Sequence, residues 1–438
     1  MNIAVIGLGY VGGTAAACFS DIGHNVYGID HDENKVKPYL LGKAPFYEKG
    51  LDSLIRANLD EGRLKFTTKI SEGIKKAEAI VVAVGTPPLP DGRPDITGME
   101  KVAKEIGESL DHYAVIIEKS TVPIRTAETM DKIMSEHLSE DLYSLAACPE
   151  FLRESTAVYD FMNPDRIVMG TDDEIAGQKL VELYKDITAP VLHTSIKAAE
   201  IIKHASNAFL YMKIAFAYSV GQLCDAEGDV NAEEVLKGVG LDKRIGESFL
   251  QLGPGVGGMC FPKDLDAFIS IFKQYDVFPG LFDAVREVNK YQKDVYFNKV
   301  VNAFDGDISN KKLGILGLAF KAGTDDMRMS ASIDIIKALK GRGAKIIAYD
   351  PKAMENAKKE LPFIDYAKNT EEVLDNSEAL LILTEWPEFK DLDIIKMRDK
   401  VDKIIDGRNL YKTKRMIELG YKYDSMGRPL KAFSKKSS

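Results

Sequence analysis

The stretch "NIAVIGLGYVGG" at residues 2–13 decides the fold of the first part of the chain. It begins as a short apolar strand, and glycines at positions 7, 9 and 12 then give the spacing GxGxxG directly before a helix-forming segment. "HNVYGID" at 24–30 reads as a second strand that ends in Asp30. A strand, glycine turn, helix and second strand with a terminal acid form the βαβ unit that binds dinucleotides.

Each residue of this pattern has a physical role. Gly7 and Gly9 permit a tight turn and the close approach of a pyrophosphate to the helix N-terminus, and Gly12 lets helix and strand pack closely. A carboxylate at Asp30 pairs with a ribose 2′-hydroxyl and repels a 2′-phosphate, which favours NAD over NADP. A glycine-rich turn that binds no ligand is the alternative interpretation.

The same alternation of strands and helices occurs twice along the chain. Near the start, "AEAIVVAVGTP" (77–87) and "YAVIIEKSTVP" (113–123) are further strands, each followed by a loop at its Pro. Strand segments of the same kind recur in "KLGILGLAF" (312–320), "AKIIAYDP" (344–351) and "NSEALLILTEWP" (376–387). We therefore expect a second doubly wound parallel sheet.

A long helix is expected between the two halves, because no Gly or Pro occurs from Lys197 to Val220. It carries an apolar stripe at three- and four-residue steps, formed by Ile201, Ala205, Ala208, Met212, Ala215, Ser219 and Leu223. The predicted fold class is α/β, with two Rossmann-like doubly wound domains joined by this helix and a helical region. The predicted domains are 1–196, 197–305 and 306–438.

The second Rossmann-like domain departs from the first at its glycine turn. It has "GLAFKAGTDDMR" (317–328) where the first has "GLGYVGG", so two glycines are missing. We expect no dinucleotide to bind there in the same way. Lys321 is a candidate phosphate contact at the carboxyl edge of the sheet, and a solvated charged loop is an equally good interpretation.

Composition excludes several classes of function. Lys and Arg number 58 against 67 Asp and Glu, a net charge of −9 that argues against a nucleic-acid partner. No stretch has the ~20 apolar residues of a membrane span, and the N-terminus lacks the basic region of a signal peptide. The cysteines at 18, 148, 224 and 260 show no CxxC and no metal-ligand spacing with the six histidines. We expect no metal site, a cytoplasmic location and a polar tail over 432–438.

Three further segments each admit a structural and a chemical interpretation. Cys260 in "GPGVGGMCFPKD" (253–264) is either a packed thiol or a nucleophile at the start of a helix. Lys203 and Asn207, one helical turn apart, form either a salt-bridge face or a pair that stabilises an oxyanion. Glu150 and Glu154 in "CPEFLRES" are either surface acids or helix caps or, for a buried Glu150, a general base.

Taken in order along almost the whole chain, these segments resemble the family of UDP-glucose and GDP-mannose 6-dehydrogenases, and most closely its UDP-glucose-oxidising members. The matching stretches also include "GTPPLPDGRPD", "NPDRIVMG", "DKRIGESFL", "LTEWPEF" and "DGRN". The resemblance implies two successive NAD-dependent oxidations that turn the C6 alcohol of UDP-glucose into the carboxylate of UDP-glucuronate, through a cysteine thiohemiacetal and thioester. It also implies a homodimer, or a larger homo-oligomer, built on the long helix.

The resemblance carries roles to named residues. Cys260 matches the nucleophile, Lys203 and Asn207 the oxyanion-stabilising pair, and Asp264 the acid that positions water. Glu150 and Thr121 match groups that organise hydrolysis. The implied cofactor contacts are Gly7, Gly9, Tyr10, Val11, Gly12, Asp30, Lys35, Thr86, Thr121, Glu154, Lys263 and Arg328. The implied substrate contacts are Glu150, Phe151, Leu152, Lys203, Asn207, Arg244, Phe249, Leu250, Gly253, Gly257, Lys321 and Arg408.

Three departures from the family pattern bear on the substrate. Cys148 stands where Asn is frequent, Val256 where an aromatic is common, and Met259 where Ser is frequent. They leave GDP-mannose or a UDP-N-acetylhexosamine as alternative substrates, because pocket shape sets such choices by only ~1–3 kcal/mol per methylene-sized change. A single-step hydroxyacid dehydrogenase and an NAD-sensing protein without turnover are the rival classes.

Overall fold

A computed structural model describes residues 1–429, so the polar tail expected over 432–438 lies outside the described residues. The chain forms two compact units, each of which consists of two stretches of sequence. The first unit is 1–206 with 266–277, and the second is 207–265 with 278 onward. The predicted division into three domains stays a prediction.

The first unit contains an eight-stranded sheet in which all strand pairs are parallel except β6–β7. The strand order is β3-β2-β1-β4-β5-β6-β7-β8, and its first six positions are the order of a Rossmann fold. The strands are β1 Asn2–Ile6, β2 Asn25–Ile29, β3 Leu64–Thr67, β4 Ala79–Val82, β5 Ala114–Glu118, β6 Tyr143–Ala147, β7 Ile167–Gly170 and β8 Val191–Thr194.

Helices cover both faces of this sheet because its central strands are apolar on both sides. In β1, Ile3 and Val5 pack with helix α1, whereas Ala4 and Ile6 pack on the opposite face with helix α5. The helices of this part of the chain are α1 Tyr10–Asp21, α2 Glu33–Leu40, α3 Leu51–Asp60, α4 Ile70–Gly73, α5 Thr97–Ser109, α6 Thr126–Met134, α7 Ala157–Met162 and α8 Glu174–Leu183.

The second unit contains a six-stranded, fully parallel sheet in the order β11-β10-β9-β12-β13-β14. This repeats the strand order of the first six strands, so the predicted α/β class with two Rossmann-like sheets is confirmed. The strands are β9 Lys312–Leu316, β10 Lys345–Tyr349, β11 Asp365–Tyr366, β12 Ala379–Ile382, β13 Lys403–Asp406 and β14 Lys422–Ser425.

The predicted long helix is α9, which runs over 32 residues and continues past Gly221. Among residues 1–429, no helix is long and apolar enough to cross a membrane. The remaining helices are α9 Ile196–Glu227, α10 Ala232–Gly240, α11 Cys260–Gln274, α12 Gly280–Asn302, α13 Ala331–Gly341, α14 Met354–Glu360, α15 Thr370–Asp375, α16 Pro387–Lys390, α17 Ile394–Met397 and α18 Thr413–Glu418.

The exposed apolar face of α9 is displaced from the predicted stripe. Ala208 and Ala215 of that stripe are buried, and Phe209 and Phe216 instead are 56% and 48% exposed. Positions 201, 205, 209, 212, 216, 219 and 223 fall within about 80° on a helix of 100° per residue, so they form one face. The exposed apolar face of α9 therefore contains Phe209 and Phe216, where the predicted stripe has Ala208 and Ala215.

Candidate active site

The glycine turn between β1 and α1 has the geometry that its spacing predicts. Gly7 has φ +96°, and a Cβ there would lie 2.6 Å from the Ala83 carbonyl oxygen. A Cβ on Gly12 would lie 1.8 Å from the Gly7 oxygen, so this position has to be glycine for the turn and α1 to pack. Gly9 is the N-cap of α1, and a Cβ there would meet nothing within 4 Å. Tyr10 and Val11 then form the first turn of the helix, so this end of α1 has room for a phosphate.

Asp30 ties the second strand to the glycine turn. Its Oδ2 accepts the Leu8 N–H at 2.9 Å and Lys35 Nζ at 3.3 Å, and its Oδ1 accepts the Asp32 N–H at 3.0 Å. The side chain is 4% exposed. These bonds fix the carboxylate at the carboxyl end of β2, beside the turn, where a dinucleotide's ribose binds in this fold.

Two predicted threonines meet at the carboxyl ends of β4 and β5. Thr86 Oγ1 donates to the Thr121 carbonyl oxygen at 2.8 Å. Ser120 Oγ, which precedes Thr121, donates to the Val84 oxygen at 2.7 Å. The loops after these two strands are thereby held together on the edge of the sheet that binds cofactor in this fold.

Glu150 and Lys203 form a buried ion pair within the first unit. Lys203 Nζ lies 2.9 Å from Glu150 Oε1, and the two side chains are 5% and 8% exposed. Glu150 Oε2 accepts the Leu152 N–H at 2.5 Å. The ring of Phe151 lies 5.4 Å from Lys203 Nζ and 3.7 Å from the Arg166 guanidinium. The salt-bridge interpretation of Lys203 therefore describes this contact, and it is compatible with a catalytic one.

Sequence reasoning missed two residues that organise this segment. Arg166, in the quoted stretch "NPDRIVMG", stacks on Phe151 but received no role. Glu48 accepts the N–H groups of Ser155, at 2.8 Å, and Ala157, at 3.1 Å. It thus fixes the turn that follows the half-buried Glu154. The sequence motif Pro-Asp-Arg could have drawn attention to Arg166. No local pattern indicates the role of Glu48, because its hydrogen-bond partners lie more than a hundred residues away.

In the second unit, Asn207, Lys263 and Asp264 come together. Asn207 Nδ2 donates to Asp264 Oδ2 at 2.6 Å, and Lys263 Nζ lies 2.7 Å from Asp264 Oδ1. Asp264 is 2% and Asn207 7% exposed. The amide is thereby oriented by the acid, which is the support a fixed hydrogen-bond donor requires.

Cys260 is the first residue of α11, as expected from the Pro-Lys-Asp that follows it. All four cysteines lie within the described residues, and Cys260 is the exposed one. Burial raises the pKa of the Cys18 and Cys224 thiols, with smaller contributions from nearby acids. Cys260 thus combines an exposed thiol with a position at a helix N-terminus.

A cavity of about 510 Å³ opens in the second unit. The predicted substrate residues Phe249, Leu250, Gly257, Lys321 and Arg408 line it. A Cβ on Gly253 would lie 3.0 Å from Arg408 Nη1, so this glycine lets the guanidinium approach the backbone. Arg244 does not line the cavity, because its 89% exposed side chain pairs with Asp242.

The cavity's arginine is fixed at the carboxyl edge of the second sheet. Arg408 Nε donates to the Leu383 oxygen at 2.8 Å and lies 3.0 Å from Glu385 Oε2, and its Nη2 donates to the Phe320 oxygen at 3.1 Å. Lys321 follows Phe320 in the chain. A pre-oriented guanidinium beside a lysine is suited to an anionic group such as a diphosphate.

Asp350 follows β10 as Asp30 follows β2, and it accepts more hydrogen bonds than Asp30 does. Its Oδ2 accepts the N–H groups of Leu318 (2.8 Å) and Ala319 (3.0 Å) and the indole N–H of Trp386 (3.1 Å). Its Oδ1 accepts two more backbone N–H groups, and the residue is 0% exposed. The carboxylate that corresponds to Asp30 is thus fully engaged and covered by an indole.

Arg328, a predicted cofactor contact, lies in the second unit. Its Nη2 donates to Asp326 Oδ2 at 2.6 Å, and its carbonyl oxygen accepts the Gly258 N–H at 3.1 Å. Among residues 1–429, no group of three or more His, Cys, Asp and Glu side chains is arranged to hold a metal ion.

Two sheets of one strand order, of which the first carries the GxGxxG turn and a following strand that ends at Asp30, indicate an NAD-dependent oxidoreductase with a separate nucleotide-binding half. Comparison with family models agrees. Residues 1–188 match the NAD binding domain of the UDP-glucose/GDP-mannose dehydrogenase family, 197–291 its central domain and 314–413 its UDP binding domain. The chain belongs to the UDP-glucose/GDP-mannose dehydrogenase family, and its cofactor is NAD.

Similar proteins match over nearly their full length. A UDP-glucose 6-dehydrogenase of Rhizobium meliloti is 39% identical over 437 residues, covering 98% of this chain and 100% of the relative. The structure of a UDP-glucose dehydrogenase from Pyrobaculum islandicum has TM-score 0.90 and 36% identity, and 97% and 96% of the two chains are covered. That of a UDP-D-ManNAc dehydrogenase from Pyrococcus horikoshii has TM-score 0.87 and 26% identity, with coverage of 98% and 100%.

Proposed function

We propose that the chain oxidises the C6 alcohol of UDP-glucose to the carboxylate of UDP-glucuronate in two successive oxidations, the second of which uses Cys260 as nucleophile. The observation that carries the proposal is the exposed thiol of Cys260 at the start of α11, four residues before the buried Asp264, which accepts a hydrogen bond from Asn207. Relatives named as UDP-glucose 6-dehydrogenases at 39% and 37% identity support the choice of sugar.

Cofactor binding is assigned to the turn and loops of the first unit. The open end of α1 at Gly9 would hold the pyrophosphate, and Asp30 with Lys35 would hold the ribose. Thr86 and Thr121 would border the nicotinamide side. Bound NAD supplies the oxidising power by accepting a hydride in each oxidation.

Substrate binding is assigned to the cavity of the second unit. Its volume of about 510 Å³ lies within the ~300–1,000 Å³ usual for ligand pockets. Lys321 and Arg408 provide two positive charges for the diphosphate. The glycine-rich loop before Cys260 would then bring the sugar's C6 toward the thiol.

The second oxidation proceeds by addition of the thiolate, oxidation to a thioester and hydrolysis. The Cys260 thiolate adds to the aldehyde carbon, forming a C–S bond and an oxyanion that Asn207 and Lys203 would stabilise. After the second oxidation the sugar is a thioester on Cys260. A water positioned by Asp264, with Glu150 and Thr121, attacks it, and the thiolate leaves with the C–S bond pair. The sum consumes one water and two NAD, and gives the carboxylate, two NADH and protons.

We further propose that α9 forms a homodimer through its exposed face. Three large apolar side chains are exposed on this face: Phe209 (56%), Phe216 (48%) and Leu223 (70%). Exposed apolar side chains that lie together along one helix are typical of a protein–protein interface. A second copy of α9 related by a twofold axis would cover them. The cytoplasm stays the expected location.

A substrate panel with NAD tests the proposal. UDP-glucose, GDP-mannose and a UDP-N-acetylhexosamine are each incubated with the protein while NADH absorbance is followed. UDP-glucose should give the highest kcat/KM and two NADH per molecule. Faster oxidation of UDP-N-acetylmannosamine would move the assignment to the chemistry named for the Pyrococcus horikoshii structure. One NADH per substrate would identify a single-step dehydrogenase, and no NADH at all a binding protein.

A further inference from the structure

The loop at residues 253–258 has to be held by other parts of the second unit. Four of its six residues are glycine, and all six are buried. Gly255 and Gly258 have φ +139° and +82°, and a Cβ on Gly257 would lie 2.7 Å from the Met329 oxygen. Glycines lose more conformational entropy on ordering than other residues. Specific contacts are therefore needed to fix one conformation.

One amide side chain satisfies both backbone groups of Val256 at the centre of this loop. Asn289 lies on α12 and is 6% exposed. Its Oδ1 accepts the Val256 N–H at 2.7 Å, and its Nδ2 donates to the Val256 oxygen at 3.2 Å. The side chain pairs with the peptide as a neighbouring strand would, which fixes the orientation of this residue's backbone.

A second amide on the same face of α12 holds the start of the loop. Gln292, three residues after Asn289, is 1% exposed. Its Nε2 donates to the Gly253 oxygen at 2.7 Å, and its Oε1 accepts Gln222 Nε2 at 2.8 Å. The Gln222 bond fixes which way the Gln292 amide faces, so the donor points at the loop.

We propose that Asn289 and Gln292 are positioning residues that hold the glycine-rich loop, and through it Cys260 and one wall of the substrate cavity. This assignment rests on the proposed function. Gly255, Val256 and Gly257 line the cavity, and Cys260 follows Val256 by four residues. Neither amide is among the cavity-lining residues.

The consequence for catalysis follows from the position of the two contacts. The loop is held at Gly253 and Val256 by α12, and at Gly258 through its N–H to the Arg328 oxygen at 3.1 Å. Releasing the first two contacts removes the two anchors that α12 gives the loop before the nucleophile. A misplacement of about 1 Å at a reacting group can cost roughly 100-fold in rate.

The test compares Asn289→Ala and Gln292→Ala with Asn298→Ala, an exposed asparagine on the same helix. The first readout needs no substrate: the rate of Cys260 alkylation by iodoacetamide as a function of pH, located by peptide mass spectrometry. The other three cysteines are buried, so they contribute little. The second readout is kcat/KM for UDP-glucose beside KM for NAD.

In both Asn289→Ala and Gln292→Ala, the pH dependence of the Cys260 alkylation rate should differ from that of the parent protein. Both variants should also lower kcat/KM for UDP-glucose about 10- to 100-fold, while KM for NAD stays unchanged within about twofold. Asn298→Ala should behave as the parent protein. If the parent does not oxidise UDP-glucose, the proposed function fails, and the alkylation profile still decides this inference. Two folded variants with the parent's alkylation profile would overturn it.

Asn289→Asp provides a variant that keeps the side chain's shape. Its carboxylate still accepts the Val256 N–H but cannot donate to the Val256 oxygen, whereas the protonated acid can do both. The alkylation rate relative to the parent protein should therefore approach one as pH falls. If Asn289→Ala does not fold, this ratio and Gln292→Ala carry the test, and a ratio independent of pH would count against the role of Asn289.

Discussion

The buried pair of Glu150 and Lys203 makes a quantitative prediction about stability. Their charged atoms are 2.9 Å apart and both side chains are less than a tenth exposed. Removing one partner leaves an uncompensated buried charge, at a cost of roughly 3–5 kcal/mol. Glu150→Gln should show this cost, because a Gln that keeps the Leu152 hydrogen bond turns its NH₂ toward the Lys203 ammonium.

The double variant Glu150→Gln/Lys203→Met gives the coupling between the two charges. Replacing both partners removes the buried charge as well as its counter-ion, so the double variant should be more stable than either single variant. A matched control is Lys37→Met, which removes the i,i+4 pair with Glu33, whose side chains are 65% and 71% exposed. That change should cost less than about 1 kcal/mol.

Equilibrium unfolding in urea, followed by far-UV circular dichroism, measures these differences. The single tryptophan, Trp386, lies in the second unit, so its fluorescence reports on a unit that contains neither member of the pair. The midpoint change is therefore read from the dichroism. Strictly additive losses in the double variant would refute the coupled pair. The double variant should also lack turnover while regaining stability, because Lys203 is assigned to the oxyanion.

Three other predictions concern cofactor, substrate and assembly. Asp30→Ala removes the carboxylate proposed to accept from the ribose hydroxyls, and a hydrogen bond to a charged group contributes about 1.5–3 kcal/mol, so Kd for NAD should rise about 10- to 150-fold in a binding titration. Equal kcat/KM for NAD and NADP in the parent protein would contradict the role of Asp30. Lys321→Ala should raise KM for UDP-glucose far more than KM for NAD, and the reverse pattern would argue against the substrate cavity. Phe209→Asp should shift sedimentation from dimer to monomer at micromolar concentration, whereas a fully active monomeric parent would disprove the helix interface.

The features that could be predicted from the sequence are those whose signal is local. The GxGxxG turn and Asp30 lie within thirty residues of each other, and their φ angle, packing and hydrogen bonds follow from that pattern. The position of Cys260 at the start of a helix could likewise be predicted from the Pro-Lys-Asp that follows it. Repetition of the strand pattern was enough to predict the second sheet.

Features that depend on partners distant in the sequence could not be predicted from it. Asn289 meets Val256 across 33 residues, and Glu48 meets Ser155 across 107, so their roles depend on tertiary packing. A buried amide within a helix has no distinctive spacing. The predicted stripe of α9 is displaced for another reason: steps of three or four residues tolerate a shift of one position, so the pattern alone does not distinguish the buried Ala208 from the exposed Phe209.

The central claim is that Cys260 carries the sugar between the two oxidations. The direct measurement is the number of NADH formed per UDP-glucose consumed, in the parent protein and in Cys260→Ala. The parent should give two NADH per UDP-glucose. Cys260→Ala should bind UDP-glucose and NAD nearly as the parent does, because the thiol is needed only once an aldehyde exists, and it should show almost no steady-state turnover. An alanine variant that keeps two NADH per UDP-glucose at a comparable rate would make Cys260 a packing residue and contradict the mechanism.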